Sequence, residues 1–192
     1  MKSWLSNFWY YHKWHLFIGL FIVFLIVLSI SQFIGREYYD YNVVLYTSTE
    51  IPAETCDKMA LEFEKFGEDI DGNGTVNVLI VNCSYNSSNA QARMAQTGKF
   101  QANLAALETV IIITDASCFS LLDAQGAFDA FPQFTDKSEK AVNLATTPFN
   151  EKIKDDMPSE YFLSKRLFNE KAKEYSDNAT ILLRKMLSEY AK

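Results

Sequence analysis

The chain has 192 residues, a formal net charge of −6 and 48% hydrophobic residues, with Phe and Tyr unusually frequent at 15 and 10 copies. All 24 acidic residues lie from Glu37 onward together with 15 of the 18 basic ones, so that part alone carries −9. Such a surface argues against nucleic acid as a partner, because nucleic acid is held through Lys/Arg patches that release counterions.

The first element is an apolar run, LFIGLFIVFLIVLSISQFI, from Leu16 to Ile34. A helix needs roughly 20 mostly apolar residues to cross the hydrocarbon core. These 19 interrupt the pattern only with Gly, Ser and Gln. They predict a single transmembrane helix over 16–35, with a cytoplasmic amino terminus at 1–15 and an extracytoplasmic domain over 36–192. Lys2 and Lys13 precede the run and Arg36 follows it, a basic bias that keeps the amino terminus inside. Trp4, Trp9, Tyr10, Tyr11 and Trp14 on one flank, and Tyr38, Tyr39 and Tyr41 on the other, suit the two bilayer interfaces. A cleaved signal peptide fits less well, since the run is long and no A-x-A-like site follows it. The expected location is the cell membrane, with the carboxy-terminal domain extracellular.

Beyond the anchor, YNVVLY at Tyr41–Tyr46 reads as a strand. From Pro52, the positions Cys56, Met59, Ala60, Phe63 and Phe66 recur at three and four, which predicts a helix with one buried stripe. Residues 76–83 give a second strand, and Ser88 to Ala106 a second helix with Phe100, Leu104 and Leu107 as its stripe. Val110 to Ile113 is a short continuous apolar run, the pattern of a strand buried on both faces. Residues 116–134 hold one or two helical turns, 135–158 an irregular connection, and 160–168 a returning strand. The chain closes on a helix striped by Ala179, Leu182, Leu183, Met186, Leu187 and Tyr190, capped at Ser176 or Asp177. Strands alternating with helices predict a three-layer α/β domain on a mainly parallel sheet. Cys56, Cys83 and Cys118 lie far apart among apolar neighbours and are expected as buried thiols.

Two groups of residues carry candidate chemistry. Asp69, Asp71 and Asn73 stand at positions 1, 3 and 5 of a calcium-type loop, with Gly74 at position 6. The closing Glu at position 12 is replaced by Ile80, and a helix-to-strand turn using Gly and Asn for positive φ explains the same residues. The second group sits at the carboxyl ends of the predicted strands: Thr47, Ser48 and Thr49, then Asn82 and Ser84 with Asn86, then Thr114 and Asp115. In a parallel sheet this is where ligands bind, and hydroxyls, amides and one carboxylate suit a polar solute. The same residue types also build turns and caps there.

Both histidines, His12 and His15, precede the apolar run, which leaves the outer domain without a histidine base for a Ser or Cys nucleophile. A glycosidase pair drawn from Glu50, Asp115 and Asp123 is the remaining enzymatic reading, a hydrolase acting on cell-surface glycans. No enzyme and no resident cofactor is expected.

LEFEKFGEDIDGNGTVNVLIVN, QARMAQTGKFQANLAALETVIIITD, EYFLSKRLF and the final ILLRKMLSEY together resemble the type 2 periplasmic-binding-protein-like, or extracellular solute-binding, family. The resemblance implies one lobe of a two-lobed binding protein, since residues 125–158 are too short for a second lobe. It implies a membrane-anchored binding or accessory protein, taking a polar solute or docking a membrane transporter subunit. A calcium-stabilised structural or interaction module is the alternative.

Overall fold

The computed structural model describes residues 2–34, 38–84, 89–134, 137, 139–153, 157–168 and 170–190. It falls into two compact units, residues 1–38 and 39–192.

The first unit is one helix, α1 (Lys2–Ile34), 33 residues long. From Leu16 to Ile30 its large apolar side chains are all exposed, and they point in every direction around the axis rather than forming a stripe. Ser29 satisfies its own hydroxyl by donating to the Leu25 carbonyl at 2.9 Å. Among the described residues, no helix is long and apolar enough to cross a membrane. The described side chains of α1 that form an unbroken run extend only from Trp14 to Ile30. The side chains of Lys2, Trp4, Tyr11, His12, Lys13 and residues 31–34, and all of residues 35–37 with Arg36, lie outside the described residues.

The second unit is built on a five-stranded sheet. Its strands are β1 (Tyr41–Tyr46), β2 (Val78–Asn82), β3 (Thr109–Asp115), β4 (Ala141–Asn143) and β5 (Tyr161–Lys165), in the order β2-β1-β3-β5-β4. Its helices are α2 (Ala53–Glu64), α3 (Ala90–Ala105), α4 (Ala116–Asp123), α5 (Asn150–Ile153) and α6 (Lys173–Tyr190). β1 pairs in parallel with β2 and β3, as the β-α-β-α-β pattern requires. β5 then pairs antiparallel with both β3 and β4. The sheet is therefore mixed, where the sequence predicts a mainly parallel one. Asn143 at the end of β4 stands beside Phe162 at the start of β5, so β5 runs back along β4 and enters the sheet opposite to β3.

Alternation along the strands sorts the core into two layers. Val43, Leu45, Ile111, Ile113 and Leu163 face one way, against Met59 and Phe63 of α2 and Leu182, Leu183 and Met186 of α6. Val44, Tyr46, Ile112 and Phe162 face the other way, against Phe100 of α3 and Phe119 and Leu122 of α4. All seven residues of β3 are buried, which accounts for its unbroken apolar run. Cys56, Cys83 and Cys118 are all buried and form no disulfide with one another.

Three expectations are corrected. Residues 135–158 are not simply irregular, because they contribute β4, a 3-10 turn at Leu144–Thr146 and α5, although 135, 136, 138 and 154–156 lie outside the described residues. Three residues of strand give too little alternation to register as a pattern. α6 begins at Lys173, not at Ser176 or Asp177; Ser176 is 1% exposed within the helix and directed to the core. In α3, Leu107 lies past the helix end and is 38% exposed, so only Phe100 of the predicted stripe is buried.

Candidate functional site

The strand order places a topological switch between β1 and β3, because the chain moves from β1 outward to β2 and then back across to β3. The carboxyl ends of these strands bring together most of the strand-end residues singled out in the sequence. Asp115 closes β3 and is the N-cap of α4, with its Oδ1 accepting from the Cys118 amide at 2.8 Å and from Ser117 Oγ at 2.7 Å. Its Oδ2 accepts from the amide of Ser48 at 2.6 Å and from the Ser48 hydroxyl at 2.5 Å. The carboxylate thus ties the end of β1 to the start of α4.

Burial by itself would raise the pKa of Asp115. The donors from Cys118, Ser48 and Ser117 outweigh it and hold the carboxyl down at about 2. A group so acidic and so fully hydrogen-bonded is a fixed anion, unsuited to proton transfer near neutrality.

The neighbouring residues are likewise engaged with one another. Thr47 Oγ1 lies 2.8 Å from both the Thr49 carbonyl and Ser84 Oγ. Asn82 donates to the Ile51 carbonyl at 2.8 Å and accepts from the Ser84 amide at 2.9 Å. Of this set, Thr49 contributes its carbonyl alone, with its side chain outward. Thr114 is fully buried on the α3/α4 face and its hydroxyl has no hydrogen-bond partner. Asn86 lies outside the described residues. The turn-and-cap explanation thus accounts for Thr47, Ser48, Asn82, Ser84 and Asp115. Ser117 was missed in the sequence, although a Ser two residues after an N-cap Asp is a local signal for it.

The other two acids of the glycosidase reading sit apart in role. Asp123 pairs with Lys140 at 2.7 Å, and Glu50 is exposed.

The loop after α2 brings Asp69 and Asp71 together and adds a residue that the sequence spacing could not reveal. Carboxylate oxygens of Asp40, Asp69 and Asp71 all lie within 4.8 Å of one another. Asp40 precedes β1, and the parallel register that sets Tyr41 beside Val78 carries it to the loop 29 positions later in the chain. Asp40 accepts from the amides of Ile70, Asp71 and Asn77 at 2.7, 3.2 and 2.8 Å. Asp69 accepts from the amides of Gly72, Asn73 and Gly74 at 2.7, 3.2 and 2.8 Å. These bonds, that from Gly74 first, lower the pKa of Asp69. Asn73 turns its Oδ1 to the Thr75 amide and hydroxyl rather than toward the carboxylates. Positive φ is taken by Gly72 and Gly74, at 74° and 89°, and not by Asn73.

At this same end of the sheet, two small cavities, one lined by Arg166 and Phe168 and the other by Asp40 and Tyr175, hold about 20 and 10 Å³. Each has room for about one water. Comparison with protein-family models, with curated proteins and with solved structures finds no match for this chain.

Proposed function

We propose that this chain is a single-pass membrane protein, with α1 as its anchor and the α/β domain outside the cell as a non-enzymatic binding or accessory module. The observation that carries the anchor is the uniform exposure of the described side chains of α1 from Trp14 to Ile30. Fifteen residues from Leu16 to Ile30 present apolar surface on all sides, interrupted only by Gly19 and Ser29. A helix apolar all round suits a lipid environment, whereas a helix docked on a protein shows a stripe. The described run is shorter than a span, and the sequence from Ser31 to Ile34 extends it to the roughly 20 residues required.

For the domain, docking of a membrane partner such as a transporter subunit is favoured over capture of a polar solute. Apart from the fully buried Thr114 hydroxyl, the described polar side chains at the strand ends are engaged with one another, and Asp115 accepts four bonds from its own chain. A solute would have to displace bonds that hold the fold. The β-α-β-α-β run of β1 to β3 supports the likeness to one lobe of a solute-binding protein.

Alkaline carbonate extraction of membranes expressing the full chain tests the anchor: the protein should stay in the pellet, and its release into the supernatant would overturn the reading. Cross-linking in intact membranes should recover one defined partner, while a solely monomeric species would count against docking. A saturable thermal shift with a sugar or peptide would restore solute capture.

A second reading is favoured by one observation, the approach of Asp40 to Asp69 and Asp71. It supplies a third carboxylate where the calcium-type loop lacks its closing Glu, and three carboxylates suit a hard cation. A chelator should then lower the melting temperature, and Asp69→Ala or Asp40→Ala should abolish that difference. An unchanged melting temperature with added calcium or chelator would remove this reading.

A further inference from the structure

The helices of the domain are unequally fastened. α2 buries Thr55, Cys56, Met59, Glu62 and Phe63, and α6 buries Leu182, Leu183, Met186 and others. α3, 16 residues long, buries Phe100 alone, with Leu104 partly covered. Met94 is 76% exposed, and Ala95, Gly98, Ala102 and Ala105 also face solvent. Phe100 stacks on Tyr46 of β1 with ring centroids 4.2 Å apart and planes at 12°. Beside it, Thr97 Oγ1 lies 3.4 Å from Tyr46 Oη, and Lys99 reaches the Asn82 carbonyl at 2.7 Å from an exposed position.

A helix of this length is marginal in isolation, and Gly98 in its interior weakens it by about 1 kcal/mol relative to Ala. Cys83, fully buried in the same layer as Phe100 and just past the end of β2, has its amide bonded to the Leu45 carbonyl of β1 at 2.8 Å, a bond that does not involve α3.

We propose that α3 is a detachable cover: it lifts from the β1–β2 face as a unit while the rest of the domain stays folded, opening Tyr46, Val81 and Cys83 to solvent. Elements with few buried apolar contacts open at free energies well below that of global unfolding, and α3, with one buried residue in 16, meets this description. The opening uncovers an apolar face that the closed domain does not present.

The three buried cysteines report on three helices. Cys83 shares a core layer with Phe100 of α3 and lies within electrostatic reach of Lys99 on the same helix, while Cys56 belongs to α2 and Cys118 to α4. The full chain in detergent micelles is treated with an alkylating reagent, and modification of each cysteine is followed by mass spectrometry. Cys83 should be modified ahead of Cys56 and Cys118. Gly98→Ala, whose added methyl meets no atom within 4 Å, should slow Cys83 by about fivefold and leave Cys56 unchanged. Phe100→Ala should speed Cys83 relative to Cys56 by roughly 100-fold. A common rate for all three cysteines, slowed equally by Gly98→Ala, would show that α3 opens only with the whole domain and would overturn the proposal.

Discussion

Replacing Asp115 by Asn separates a structural anion from a ligand-binding one. The change removes the charge and turns an amide NH₂ toward donors that now have nothing to donate to. Four donors converge on this carboxylate: the amides of Ser48 and Cys118 and the hydroxyls of Ser48 and Ser117. Its pKa stands at about 2 against an ordinary 3.8, a difference worth roughly 2 kcal/mol at 1.4 kcal/mol per pH unit. Adding the misfit of at least one buried donor, Asp115→Asn should destabilise the domain by about 2 to 4 kcal/mol near neutral pH. Because the folded pKa is depressed, the stabilisation is complete above about pH 4 and is lost as pH falls toward 2. Urea unfolding of the full chain in micelles, followed by far-ultraviolet circular dichroism, should show a gap between the two proteins that narrows on acidification. A variant within about 0.5 kcal/mol of wild type at neutral pH, or a gap that widens in acid, would refute the assignment of Asp115 to the fold.

Three further outcomes follow from the packing. Gly67→Ala would set a Cβ 2.6 Å from Val76 Cγ1 and 2.8 Å from Tyr41 Cε2, and the overpacking should cost about 1–3 kcal/mol in the same urea assay. Burial, and then the charge and hydrogen bond of Glu62, hold the Tyr190 phenol up at about 12. Glu62→Gln should bring its alkaline titration, read by ultraviolet absorbance, back toward the usual value. Leu25→Arg in α1 adds about 3 kcal/mol to membrane insertion and should shift protein from the carbonate-resistant pellet to the supernatant.

The elements that could be read from the sequence were those whose periodicity runs far enough to register. β1, α2, β3 and the stripe of α6 each show it over six or more residues. What escaped depends on pairing across the chain. β4 is three residues long, and nothing local to YFLSK states that β5 will insert between β3 and β4 in the opposite direction. Asp40 was invisible as a neighbour of Asp69 for the same reason, since only the register of β1 on β2 joins them. The strand-end polar set could be located, because alternating strands and helices fix which ends coincide. Its state could not, because a Thr or Ser that turns inward to a neighbour and one that awaits a ligand look alike in sequence.

The placement of α6 has a consequence for synthesis. β1 and β3 lie in the first half of the domain, and Leu45, Ile111 and Ile113 pack against Leu182, Leu183 and Met186 near its far end. The open edge of β3 is filled only by Tyr161–Lys165. Until these segments emerge from the ribosome, the three parallel strands have an uncovered face and an unpaired edge. The domain therefore completes its fold late, after α1 has left the ribosome. A premature stop before Ala179 leaves an aggregation-prone sheet rather than a smaller working domain.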